Sequence, residues 1–108
     1  MTIKGFGPEL AAILDGRPLT DYEREMLEIV QEECAEVIVA ASKMLRFGTF
    51  QTNPATGVKN NVEFSEEIGN LLAMIDRVQV LPFYDAVAVR RGYKAKVEKL
   101  PTYTQFAP

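Results

Sequence analysis

The chain has no histidine and only one cysteine, Cys34, among its 108 residues. Without histidine there is no imidazole base, no Ser-His triad and no His-ligated zinc. A single cysteine makes no internal disulfide and no thiolate cluster, a usage that fits a reducing, cytoplasmic setting. No apolar run approaches the roughly 20 residues that span a bilayer. Residues 1–8 lack a charged region followed by a long apolar stretch, so neither a membrane partner nor a signal peptide is expected. A basic excess is missing as well. Fifteen acids outnumber 12 bases, for a net charge of −3, which argues against a partner that is a nucleic-acid polymer held by a global positive field. Hydrolytic chemistry in such a chain falls to carboxylates and a hard metal.

Hydrophobic residues make up 47% and charged residues 25%, the balance of an ordinary globular domain large enough to bury a core. One domain is expected over residues 1–108. Its first part, residues 1–18, is an arm holding one short helix ended by Gly16 and Pro18. Thr20-Asp21-Tyr22-Glu23 then forms a capping-box pattern, in which the Thr20 hydroxyl accepts from the Glu23 amide and Glu23 reaches back. Nothing breaks a helix from there to Arg46, and Gly48 supplies a left-handed stop. Residues 49–61 read as a loop, with Asn53-Pro54, Gly57 and Asn60-Asn61 as turn formers. A second helix is expected over 62–81 and a third from Pro82 or Phe83 to Leu100, stopped by Pro101, with an irregular tail over 101–108. Strand alternation is absent. The fold expected is all-α, a helical bundle.

Helical wheels place acids where apolar residues belong. On the first long helix Met26, Ile29, Val30, Val37, Ala41 and Met44 cluster on one stripe, and Glu33 falls inside it at about 20° from Tyr22. Glu36 lies on the stripe's edge at about 320°, with Glu32 further out. On the second helix Ile68, Leu71, Met74, Ile75 and Val78 form the stripe and Glu67 lies within it, while Asn70 and Glu63 border it and Glu66 points away. Cys34, near 120° on the first wheel, is expected in the core rather than as a nucleophile. An ionised carboxylate in a helix seam must be paired, protonated or bound to a metal. Carboxylates at i and i+3 share a face, so Glu33 and Glu36 can grip one ion, and oxygen-only donors select Mg²⁺, Mn²⁺ or Ca²⁺. Solvated acidic faces, or seam pairs between these acids and Lys43 or the third helix, are the structural alternatives.

The run Glu32-Glu33-Cys34-Ala35-Glu36, followed by Glu66-Glu67-Ile68-Gly69-Asn70, resembles the paired helical motif of MazG-type all-α nucleoside triphosphate pyrophosphatases: Glu-Glu-x-x-Glu, a connecting segment, then Glu-x-x-Asp. Residues 27–48, 65–76 and 90–100 resemble the short phage and bacterial members, so the likeness covers about three quarters of the chain helix for helix. It implies an all-α bundle completed by oligomerisation, as a homodimer or homotetramer. It also implies cleavage of a nucleoside triphosphate between the α- and β-phosphates, to monophosphate and pyrophosphate, with Mg²⁺ (or Mn²⁺) as cofactor. Glu33, Glu36 and Glu67 match the metal-binding glutamates, and Asn70 stands where the family has its aspartate. Lys43 and Arg46 match basic positions near the phosphates.

Glu32 or Glu36 is the candidate proton acceptor. Lys94, within the basic cluster of Arg90, Arg91, Lys94 and Lys96, is a candidate for offsetting charge on the leaving pyrophosphate. Asn61 is a candidate for hydrogen bonding to the base or sugar, although at least one of Asn60 and Asn61 is expected to cap the second helix instead. The loss of one negative charge at Asn70 leaves an alternative: a catalytically weakened member that binds nucleotide, or a helical interaction protein.

Overall fold

A computed structural model describes residue 16 and residues 18–106. Among them the chain is all-helical: α1 spans Asp21–Phe47, α2 Asn60–Val78 and α3 Ala86–Tyr103, with no strand beyond one isolated bridge between Thr52 and Lys59. The short helix expected before Gly16 lies outside the described residues. No described helix is long and apolar enough to cross a membrane.

The capping box forms as the sequence dictates. Thr20 Oγ1 accepts from the Glu23 amide at 3.1 Å, and Glu23 Oε1 accepts from the Thr20 amide at 2.8 Å. From that start α1 runs 27 residues, about 40 Å at 1.5 Å per residue. Gly48 ends it with φ 103° and ψ 152°. This backbone position is open to glycine but lies outside the left-handed helical well that was expected.

α1 and α2 pack together as the one helix pair of the described residues. Lys43 approaches Glu63, and Glu36 shares a cleft with Glu67 further from the connection, so the two helices run in opposite directions. Their seam follows most of the stripe read from the wheels, with Ala40 added to it and Ile75 left 39% exposed. Met26 and Ala40 are buried, at 9% and 5% exposure, while Ile29, Val30, Val37, Met44, Phe64, Ile68, Leu71 and Met74 are half-buried.

The connection is ordered by its own hydrogen bonds. Asn53 N donates to Val58 O at 2.8 Å, Gly57 N donates to Asn53 O at 2.8 Å, and Asn53 Oδ1 accepts from Ala55 N at 2.9 Å. Its root is closed by Asn60, 3% exposed, whose Nδ2 donates to Gly48 O at 3.0 Å and whose amide donates to Gln51 O at 2.9 Å. Asn60 therefore ties the start of α2 to the end of α1 and does not cap α2. The N-cap is Lys59, with no side-chain cap bond, and this corrects the expectation of an asparagine cap.

α2 ends at Val78, earlier than expected, through turns in which Leu81 N donates to Val78 O and Tyr84 N to Leu81 O. α3 starts late because Asp85 caps it, accepting from Ala88 N at 3.0 Å. Pro101 does not stop α3; it lies inside its last turn. The bond Pro101 cannot donate is its own to Val97, and Thr104 closes the end by donating N and Oγ1 to Leu100 O, each at 3.1 Å.

α3 packs on neither α1 nor α2. The Cα radius of gyration is 18.5 Å, against about 13 Å for a compact chain of this length. No described side chain is fully enclosed. α1 moreover carries a second apolar stripe, Leu27, Cys34, Ile38 and Leu45, spaced by seven, four and seven residues as in a heptad seam. Ile38 is 66% and Leu45 88% exposed. Cys34 sits on this stripe and is exposed. It is not a core residue, because the wheel position that borders the first seam faces away from α2.

Candidate functional site

A cleft of about 320 Å³ opens beside the α1–α2 seam. α1 contributes Glu36, Val39, Ala40 and Lys43, α2 contributes Glu63, Glu66 and Glu67, and the connection contributes Thr56 and Val58. The spacing Glu36, Ala40, Lys43 is the i, i+4, i+7 ladder of one helix face, and Glu63, Glu66, Glu67 is its counterpart on α2. Four carboxylates thus face one ammonium. Such a cleft repels a bare phosphate and attracts cations, or an anion already carrying them.

Glu63 is the most engaged of these acids. Asn53 Nδ2 donates to its Oε1 at 3.2 Å and its Oε2 at 3.4 Å, and Thr56 Oγ1 donates to Oε1 at 2.5 Å. Lys43 Nζ lies 3.8 Å from Oε2. The carboxyl sits below the usual glutamate range. The Thr56 hydroxyl is the largest cause; partial burial opposes it, and the Asn53 amide and the Lys43 charge add to the lowering.

The residues singled out in the sequence fall in different places. Glu36, Lys43 and Glu67 line the cleft, with Lys43 drawn toward Glu63. Glu33, half-buried and one turn further from the connection, has Oε2 buried without a hydrogen-bond partner. Asn70 is exposed and donates Nδ2 to Glu67 Oε2 at 3.5 Å. Glu32 is exposed outside the cleft. The Arg46 guanidinium lies over the Phe47 ring, 5.1 Å from its centroid. Asn61 is half-buried and its Oδ1 is buried without a partner, while its carbonyl accepts from Ser65 Oγ at 2.8 Å. Lys94 is carried by α3, away from the helix pair.

Glu66 is exposed and off the seam, as its wheel angle requires, and it still lines the cleft. The cleft lies on the flank of the seam, walled by residues 56 and 58, so a residue off the seam axis still reaches it. Thr56 and Val58 carried no signal in the sequence, since their place depends on how the connection folds back.

A hard cation finds suitable chemistry here but no finished cage. The cleft's possible ligands are all oxygen, and Glu33, outside the cleft's lining, has a buried Oε2 that a cation would satisfy. Among the described residues, however, no three acidic or thiol side chains converge closely enough to hold an ion. No protein-family model, curated protein or solved structure matches the chain.

Proposed function

We propose that the chain is a Mg²⁺-dependent nucleotide pyrophosphohydrolase, converting a nucleoside triphosphate to monophosphate and pyrophosphate and working as an oligomer of the MazG-like type. The observation that carries this reading is the cleft, which Glu36 from the Glu-Glu-x-x-Glu half of the pattern and Glu67 from the Glu-Glu-x-x-Asn half both line, together with Lys43. Glu33, Glu36, Glu67 and the Asn70 amide would hold the metal, which offsets phosphate charge and acidifies water. Glu36 is better placed than Glu32 to accept a proton, because it lines the cleft. Lys43 supplies positive charge at the phosphate end, and Arg46 reinforces it from the last turn of α1.

The oligomer is part of the same proposal. The exposed stripe through Ile38 and Leu45 suits the equivalent stripe of a second copy. Charge favours a second copy too: α1 carries seven acids against three bases, and α3 five bases against one acid. An α3 delivered by a neighbouring copy is the route by which Lys94 would reach a cleft. The reducing, cytoplasmic setting belongs to this proposal and suits the exposed Cys34.

A weakened, nucleotide-binding member is the second reading, and Asn70 favours it, since an amide beside Glu67 brings no negative charge to a metal. One experiment separates the two. The protein is incubated with a panel of nucleoside triphosphates and Mg²⁺ or Mn²⁺ while products and thermal stability are followed. Monophosphate with pyrophosphate, abolished by Glu67→Gln and raised by Asn70→Asp, supports the enzyme. Nucleotide-dependent stabilisation without product supports the binder, and neither effect rejects both.

A further inference from the structure

The wall of the cleft formed by the connection is held from one point. Within the connection, the backbone N–H groups of Asn53, Ala55, Gly57 and Val58 all bond inside the loop itself. Its root is closed by Asn60 and Asn61, whose amides donate to Gln51 O and Thr49 O. Between root and tip, the side-chain bonds that join loop to helix among the described residues all end on one carboxylate, Glu63 of α2, which accepts from Asn53 and Thr56. The same carboxylate draws Lys43 across from α1. The Lys43 side chain is 38% exposed and that of Glu63 18%, so the pair sits at the boundary between cleft and solvent.

We propose that Glu63 is a positioning residue, a latch that holds residues 53–58 as a wall of the cleft and restrains the Lys43 ammonium, so that freeing this one carboxylate opens the cleft. Three donors from two elements share one acceptor. Losing the acceptor therefore removes the side-chain seat of residues 53–58 on the helices, and the loop's internal turns, held then only from the root, open more often. An anion that takes Lys43 competes with Glu63 for it, which couples anion binding to the wall. The other charged groups facing the cleft are Glu36 on α1 and Glu66 and Glu67 on α2 itself. They repel Glu63 and cannot replace its donors. The latch does not depend on whether the cleft turns over a nucleotide.

The test is amide hydrogen exchange on the full chain, reading Asn53 and Gly57 in the loop and the α1–α2 seam as an internal reference. Glu63→Ala should speed exchange at Asn53 and Gly57 by about tenfold while leaving the seam amides within about twofold. Thr56→Val, a solvent-side change that keeps the helices intact, should speed Gly57 in the same sense. The double variant should be less than additive, because both changes break the Thr56–Glu63 bond, while Thr56→Val alone also removes the acceptor of Val58 N. Glu63→Gln keeps an acceptor for Thr56 and should fall between wild type and Glu63→Ala. Loop exchange within about twofold of wild type in Glu63→Ala would overturn the latch. So would equal acceleration of loop and seam, or fully additive effects of Glu63→Ala and Thr56→Val.

Discussion

Truncating the exposed stripe of α1 tests whether the chain is completed by a second copy. Ile38 and Leu45 are 66% and 88% exposed in the single chain, so nearly all of their transfer free energy is still to be gained. Cutting both to alanine removes about 2.5–3.5 kcal/mol of potential burial per chain, and a symmetric pair loses it twice. If the partner covers half of that area, the loss is about 2.5–3.5 kcal/mol per dimer, a weakening of about a hundredfold. Alanine has the highest helix propensity, so α1 itself does not melt. Sedimentation equilibrium over a dilution series reads the outcome, with circular dichroism confirming unchanged helix content. Wild type should sediment above the 12.1 kDa of one chain, and Ile38→Ala/Leu45→Ala should return to that mass over most of the series. A wild-type chain that stays at 12.1 kDa throughout, or a double variant that associates as tightly as wild type, would refute the pairing.

Two further outcomes follow from local chemistry. Gly48→Ala should destabilise the chain by about 1–3 kcal/mol in urea unfolding. Its φ of 103° is the cause, since the added Cβ would meet its nearest neighbour, Gln51, at an ordinary 3.9 Å. Glu63 has a folded pKa below its ordinary value of 4.5. Its contribution is therefore complete above that value and is lost as pH falls through the lowered folded pKa. The stability gap between wild type and Glu63→Gln in urea should be widest near neutrality and close in strong acid. A gap that grows on acidification would contradict the assigned partners.

Local signals were the most legible part of this fold. The Thr20–Glu23 box, the break at Gly48 and the apolar stripes of α1 and α2 each rest on contacts within a few residues, and each forms. Glu36 and Glu67 were readable as cleft residues because the seam they border is itself periodic. The place of Glu66 on the cleft is not legible from a wheel, which knows only the seam axis, whereas the cleft is walled on its flank by a connection whose path depends on Asn60 reaching Gly48 and Glu63 gathering Asn53 and Thr56. The wheel puts Cys34 in a core because it cannot tell a seam made within one chain from a stripe left open. Pro101 reads as a stop in the sequence, but a proline in the last turn sacrifices only one bond near an end that Thr104 closes.

Hydrolysis of a nucleoside triphosphate in ¹⁸O-water with Mg²⁺, followed by mass analysis of both products, tests the central claim most directly. Attack of water at the α-phosphorus predicts one ¹⁸O in the monophosphate and none in the pyrophosphate, with the reaction lost in Glu67→Gln. Label in the pyrophosphate, release of orthophosphate as the primary product, or the same turnover in Glu67→Gln would contradict it.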